Sequence, residues 1–227
     1  QSYGTPLQEQ EDWPAQWAKA HVQPLMVQLL WAGAYSFHHP GMMRQLYGHA
    51  VYSMLEDYQG YLWFGTGNGL YRYDGYDLLL LDETSPAHLA SDQAVNMLQE
   101  DGAHYIWISQ FGLSEHLLLD ERRQRVEARQ YLRSLGMEAD KEYYLHVDTE
   151  GNLWQVMTDT VAFYDFSTHS CRRYATPGFH TVNNLRISVK GSQGTLYVLD
   201  GKLLWTFHQQ YDAWEQEELS LNAPSFS

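Results

Sequence analysis

Val51–Asp74, VYSMLEDYQGYLWFGTGNGLYRYD, compresses three strand-like runs into 24 residues, separated by Gln59-Gly60 and Gly67-Asn68-Gly69. Asp74-Gly75 then turns the chain into a fourth run, Asp77–Leu81. Asn-Gly and Asp-Gly between aromatic-rich apolar runs signal hairpins, because both residues tolerate positive φ. The stretch reads as a four-stranded antiparallel meander.

The same template recurs three more times. Its anchor is an aromatic in the second strand: Trp63 in LWFG, Trp107 in IWIS, Trp154 in LWQV and Tyr197 in LYVL, spaced by 44, 47 and 43 residues on subtraction of those positions. The preceding turn recurs as Asp57-Tyr-Gln-Gly60, as Asp148-Thr-Glu-Gly151 and, degraded, as Gly191-Ser-Gln-Gly194. The second copy keeps the acid as Asp101 but has His104 in the glycine position. A period of about 40–50 residues with four strands per unit defines an all-β chain of β-propeller blades, each needing neighbours to bury its faces.

The pattern V-x-S-x-x-E-D-x-x-G-x-L-W-x-G-T-x-x-G-L-Y-R-Y-D resembles the two-component regulator propeller repeat. Val51–Asp74 matches it almost throughout and the later repeats more loosely, so the resemblance runs from about Tyr35 to the C-terminus. It implies the periplasmic sensor region of hybrid two-component histidine kinases of Bacteroides-type bacteria. Those receptors carry seven-bladed rings in tandem, then a tyrosine-rich immunoglobulin-like domain, a membrane span and a kinase. The chain then corresponds to the first four blades of the first ring. The expected form is an open arc that self-associates as a homodimer, with a closed four-bladed ring as the alternative. Contact with the membrane is expected only through a downstream segment.

Composition narrows the function classes. The 17 Tyr, 8 Trp and 8 Phe favour strands, and the formal charge of −14 argues against nucleic-acid binding, which needs a basic face. Cys171 stands alone, which excludes an intramolecular disulfide framework. No run reaches the roughly 18–20 apolar residues of a membrane helix.

Outward from the first repeat, residues 1–44 read as an N-terminal segment and 45–227 as four blades, at about 50–82, 93–131, 143–174 and 185–217. The polar start without Met fits a processed chain. Asp12-Trp13-Pro14 can open a short helix stopped by Pro24, with Trp13, Trp17 and Trp31 anchoring the segment. By the resemblance, Tyr35-Ser36-Phe37-His38 sits where a ring-closing strand is lent to the last blade. The second blade is expected to have strands at Ala94–Gln99, Tyr105–Ser109, Leu113–Leu119 and Val126–Tyr131, followed by a crossover at Leu132–Glu142. Its run DERRQR, Asp120–Arg125, is expected to be a solvated outer turn. The closing LSLNAPSFS resembles a crossover toward a further blade.

Chemical motifs are sparse. Gly65-Thr-Gly67-Asn-Gly69 lacks G-x-G-x-x-G spacing and leads into a strand, so it reads as a turn, with Gly65 admitting a neighbouring backbone. Asp148-Thr-Glu150-Gly-Asn152 has its glycine fourth and no distal Glu, which excludes an EF-hand and leaves a hairpin turn. No H-E-x-x-H, G-x-S-x-G or S-x-x-K occurs, so no cofactor, metal or catalytic residue is assigned.

The leading expectation, drawn from the resemblance, is a sensor of carbohydrate breakdown products. Ligand contacts are placed on the b–c loops and crossovers at one end of the propeller: Asn68, Gln110 and Phe111 on b–c loops, His88 and His180 on crossovers. There, aromatics stack on sugar rings and amides bond to hydroxyls. A non-binding structural or dimerisation module is the alternative, and a propeller glycan hydrolase or lyase a further one.

Overall fold

The computed structural model describes residues 46, 49–82, 85, 93–111, 116–180, 185–190 and 195–219. All of them belong to the unit Leu46–Ser227. The expectations for 1–44 and for His88 lie outside these residues.

Four four-stranded antiparallel sheets follow one another along the chain. The first comprises β1 (Val51–Glu56), β2 (Leu62–Thr66), β3 (Gly69–Tyr73) and β4 (Leu78–Leu81), paired in chain order. The second comprises β5 (Val95–Glu100), β6 (Ile106–Gln110), β7 (Leu117–Leu119) and β8 (Arg125–Val126), followed by a helix, α1 (Ala128–Ser134). The third is β9 (Tyr144–Val147), β10 (Leu153–Val156), β11 (Thr160–Asp165) and β12 (Ser170–Ala175). The fourth is β13 (Arg186–Lys190), β14 (Thr195–Asp200), β15 (Leu203–His208) and β16 (Ala213–Glu218). The innermost strands β1, β5, β9 and β13 neighbour one another in series, and the described blades form an arc that does not close.

The recurrent Asp and Trp are a single device. Asp57 Oδ1 accepts the backbone N–H groups of Gln59 and Tyr61 at 3.0 Å, shaping the a–b turn, while Oδ2 accepts the Trp63 indole N–H at 2.8 Å. Asp101 repeats this with Ala103, Tyr105 and Trp107, and Asp148 with Glu150, Asn152 and Trp154. The carboxylate thus satisfies turn donors and the one polar atom of a ring that is otherwise out of water. The three tryptophans are 0–1 % exposed. Burying one removes about 200 Å² from water, worth on the order of 5 kcal/mol.

Each tryptophan is the key between its own blade and the next. Trp63 packs with Val95, Leu98, Ile106, Ile108 and Leu119 of blade 2. Trp107 packs with Leu145, Val147 and Leu153 of blade 3, and Trp154 with Leu185, Leu196, Val198 and Phe207 toward blade 4. The expectation for Gly65 holds: a Cβ there would lie 2.8 Å from Val95 Cγ1 and 2.9 Å from Val95 O. Between blades 2 and 3, Gly102 N donates to Gly151 O at 2.9 Å, and a Cβ on Gly151 would meet the same nitrogen at 2.9 Å.

Two expectations for blade 2 are corrected. Val126–Tyr131 is not a strand: β8 has only two residues before the chain enters α1. The run Ala128-Arg-Gln-Tyr-Leu-Arg-Ser favours helix, and it buries Ala128 and Leu132, four residues apart on one face, against the Trp107 core. The helix closes when Gly136, at φ +72°, donates to Arg133 O and Met137 donates to Leu132 O. The second correction concerns DERRQR. Arg123 in that turn is 6 % exposed, drawn inward by carboxylates of two blades.

Candidate ligand-binding surfaces

The end of the arc where the a–b and c–d turns lie is closed by polar side chains. Arg123 Nε donates to Asp57 Oδ2 at 3.0 Å, Nη2 to Glu100 Oε1 at 3.1 Å and Nη1 to His104 O at 2.7 Å. Its guanidinium carbon lies 5.1 Å from the Tyr58 ring centre, and Tyr58 stacks on His104 at 4.1 Å. Tyr58 N in turn donates to Glu100 Oε2 at 2.9 Å. Burial raises the Glu100 carboxyl above its ordinary range, with the Arg123 hydrogen bond working against that rise. Every strong donor of Arg123 is committed within the fold, so this cluster fastens blade 1 to blade 2 rather than presenting a site.

The opposite end, with the b–c turns, presents aromatics to solvent. Tyr52 and Phe111 are 50 % and 52 % exposed and meet edge to face at 5.2 Å. Tyr52 belongs to β1 of blade 1, and Phe111 directly follows β6 of blade 2. A Cβ on Gly67 would lie 3.7 Å from the Tyr52 ring, so the b–c turns of both blades converge on this one side chain. Asn68, next to Gly67, is exposed, and its N–H donates to Thr66 Oγ1 at 3.1 Å, which holds the turn.

Of the residues singled out from sequence, Phe111 meets the Tyr52 ring, and Asn68 belongs to the turn whose Gly67 lies beside that ring. Gln110 is buried in the sheet, where it pairs with Val95. His180 lies between β12 and β13, on the crossover expected for it, with its Nδ1 2.9 Å from Asp200 Oδ2 of the fourth blade and the side chain 82 % exposed. Tyr52 was not singled out. It sits at a β-bulge of β1, between Val51 opposite Thr66 and Ser53 opposite Gly65, so the alternation of the strand does not reveal that its ring meets Phe111 of blade 2.

Among the described residues, no group of three or more His, Cys, Asp or Glu could hold a metal ion. The carboxylate of Asp148 is taken up by turn N–H groups and an indole, as a hairpin turn requires.

Comparison with known proteins bears on the fold. Residues 48–68 match the family model described as Two component regulator propeller, so the first blade carries a repeat of that type. The chain is similar to the extracellular domain of the hybrid two component system BT4673 from B. thetaiotaomicron, at 18 % identity and a TM-score of 0.53, covering 75 % of this chain and 24 % of that one. A second extracellular domain from that organism, of BT3049, is 18 % identical with a TM-score of 0.45 over 78 % of this chain and 24 % of the other. Virginiamycin B lyase from Staphylococcus aureus is 13 % identical with a TM-score of 0.47, over 81 % and 59 % of the two chains. No curated protein sequence matches.

The fold is thus a β-propeller arc opened by a two-component regulator repeat. The chain spans about a quarter of the BT4673 domain, 24 % of its length.

Proposed function

We propose that these blades are an extracytoplasmic ligand-sensing module of a hybrid two-component receptor, recognising a carbohydrate breakdown product. The observation that carries this reading is the Tyr52–Phe111 pair, half exposed and bridging two blades beside the Asn68 turn. Pyranose rings present apolar faces that pack on aromatic rings, and amides such as Asn68 both donate to and accept from hydroxyls. The regulator repeat in blade 1 and the likeness in fold to an extracellular two-component domain support the same assignment. Among the described residues no helix is long and apolar enough to cross a membrane. Signalling further requires that ligand bind one arrangement of a self-associated receptor better than another.

A thermal-shift screen against plant, host and microbial oligosaccharides tests the reading, because a ligand specific for the folded state raises the melting temperature. The expected result is a saturable shift with one glycan class that disappears in Tyr52→Ala and Phe111→Ala. A shift that survives both substitutions removes the aromatic pair from the site. No shift across the panel favours a structural module.

A further inference from the structure

Each seam between blades of this chain is an aromatic key in an apolar seat. The Trp63 key of blade 1 lies on Val95, Leu98, Ile106 and Ile108 of blade 2, all 0–6 % exposed. Trp107 and Trp154 are seated likewise on blades 3 and 4. Blade 1 carries the same seat. Val51 opposite Thr66, followed by a bulge, corresponds to Val95 opposite Gln110 with its own bulge. Met54 opposite Phe64 corresponds to Leu98 opposite Ile108, and Leu62 to Ile106. By strand alternation Met54, Leu62 and Phe64 lie on the face turned away from Trp63 and blade 2. Yet Val51 and Met54 are 43 % and 45 % exposed, against 1 % and 6 % for Val95 and Leu98.

Blade 4 carries the matching key. Tyr197 stands where the other blades have tryptophan, on a strand whose Leu196 and Val198 pack with Trp154 of blade 3. It therefore belongs to the opposite face, with Leu199 on its own strand and with Thr206 and Leu204, their partners on β15. All four are half-buried. The a–b turn of blade 4 has Gly191 where the others have Asp, so no carboxylate is on hand for an indole N–H, and a phenol suits the position better. Among the described blades the other three keys are seated, which leaves one seat and one key. The seat residues Val51, Met54, Leu62 and Phe64 and the key residues Tyr197, Leu199, Leu204 and Thr206 are all uncharged. Glu215 and Glu217 share the Tyr197 face, but on the outermost strand, where they are exposed at its rim.

The arc does not close on itself, so within one copy this key does not reach this seat. We infer that two copies pair head to tail, Tyr197 of each seated on blade 1 of the other. Two arcs of four blades then close a ring of eight, the upper end of the roughly four to eight blades that propellers use. Once one seam has formed the other is intramolecular, at an effective concentration of about millimolar, which makes the pair tighter than either seam alone. The pairing extends a contact that the chain already makes at each of its own seams, and it does not depend on what the blades bind. The net charge of −14 on each copy opposes association, so it is measured at about 0.15 M salt, where exposed charges more than about 8 Å apart are screened.

Sedimentation velocity of the intact chain tests this, with Met54→Glu in the seat and Tyr197→Glu on the key. Circular dichroism verifies that each variant keeps its strands; Val51→Glu or Leu199→Glu replaces one that does not. The expected result is a species with the mass of two copies, and self-association weakened about tenfold or more in either variant. Mixing the two variants should restore a pair, weaker than the parent's, because the Met54→Glu copy still offers its key and the Tyr197→Glu copy its seat. A monomer up to about 100 μM overturns the pairing and gives the seat to another part of this chain or to another protein. A dimer lost in Met54→Glu but kept in Tyr197→Glu means that blade 1 meets blade 1, and overturns the head-to-tail arrangement. A dimer kept in both variants, or no pairing in the mixture, overturns the seam. Mass that grows with concentration beyond two copies overturns closure of the ring.

Discussion

Arg123, in the c–d turn of blade 2, places its guanidinium Nη2 2.9 Å from Asp57 Oδ2, in the a–b turn of blade 1. Both side chains are buried, and the same carboxylate oxygen accepts the Trp63 indole N–H. The pair therefore ties the key tryptophan of one blade to a turn of the next. Removing one partner of a buried pair leaves the other charge unmatched, at a cost of roughly 3–5 kcal/mol. Arg123→Ala is expected to lower stability by that amount in urea unfolding. Arg123→Lys should recover little of it, because one ammonium cannot reach Asp57, Glu100 and the His104 carbonyl from the fork positions of the guanidinium. A Lys variant as stable as the parent would show that the fork geometry is immaterial.

The Asp–Trp device makes a separate prediction in blade 3. Asp148→Ala removes the acceptor for two turn N–H groups and for the Trp154 indole at 3.0 Å, which then stays buried without a partner. A loss of about 2–4 kcal/mol follows from leaving a buried donor unmet and an unshaped turn. Trp154→Phe should cost less in the Asp148→Ala protein than in the parent, since there it removes the stranded donor as well as buried ring area. A double-mutant cycle that is strictly additive would deny the coupling.

Much of this was legible in the residues themselves. The period, the four meanders and the Asp-x-x-Gly turns stand in the sequence because they are local: each needs a turn residue and an alternating run. Gly65 was legible for the same reason. Arg123 was not, because its partners Asp57 and Glu100 lie 66 and 23 residues away, and DERRQR alone reads as any charged turn. Tyr131 was assigned to a strand by the expectation of a fourth run. Its hydroxyl instead donates to Asp101 Oδ2 at 3.2 Å from a helix whose Leu132 fills the Trp107 core. Tertiary burial overrode the repeat there. Tyr52 was visible as an aromatic on an inner strand, but its meeting with Phe111 depends on how two blades sit side by side.

Gly65 provides a test of blade spacing. Ala at this position would put a methyl 2.8 Å from Val95 Cγ1 and 2.9 Å from Val95 O, a contact with main chain that side-chain motion cannot relieve. Overpacking of this kind costs on the order of 1–3 kcal/mol. Gly65→Ala is expected to show that loss together with faster amide exchange in β1, β2 and β5, and unchanged exchange in blade 4. Exchange that accelerates equally in every blade would instead point to a globally cooperative arc.

Two half-buried histidines are expected to contribute to the response to acid. Burial lowers the pKa of His116 from 6.5 to about 4, and burial also lowers that of His146, against which Asp148 works in the opposite direction. His116 packs against Trp107 and Tyr143 and shares a hydrogen bond with Ser109, while His146 shares one with Gln99 across blades 2 and 3. Below pH 6.5 the unfolded chain takes up protons that the folded chain refuses, so the neutral-histidine contribution is complete above 6.5 and drains away as pH falls toward 4. At about 1.36 kcal/mol per unit, His116 alone accounts for a decline of roughly 3 kcal/mol across that window. His116→Gln, with an amide to meet Ser109, should be less stable at pH 7 but lose less between pH 6.5 and 4. Urea unfolding of both proteins at a series of pH values measures this, and parallel curves would place the acid sensitivity elsewhere.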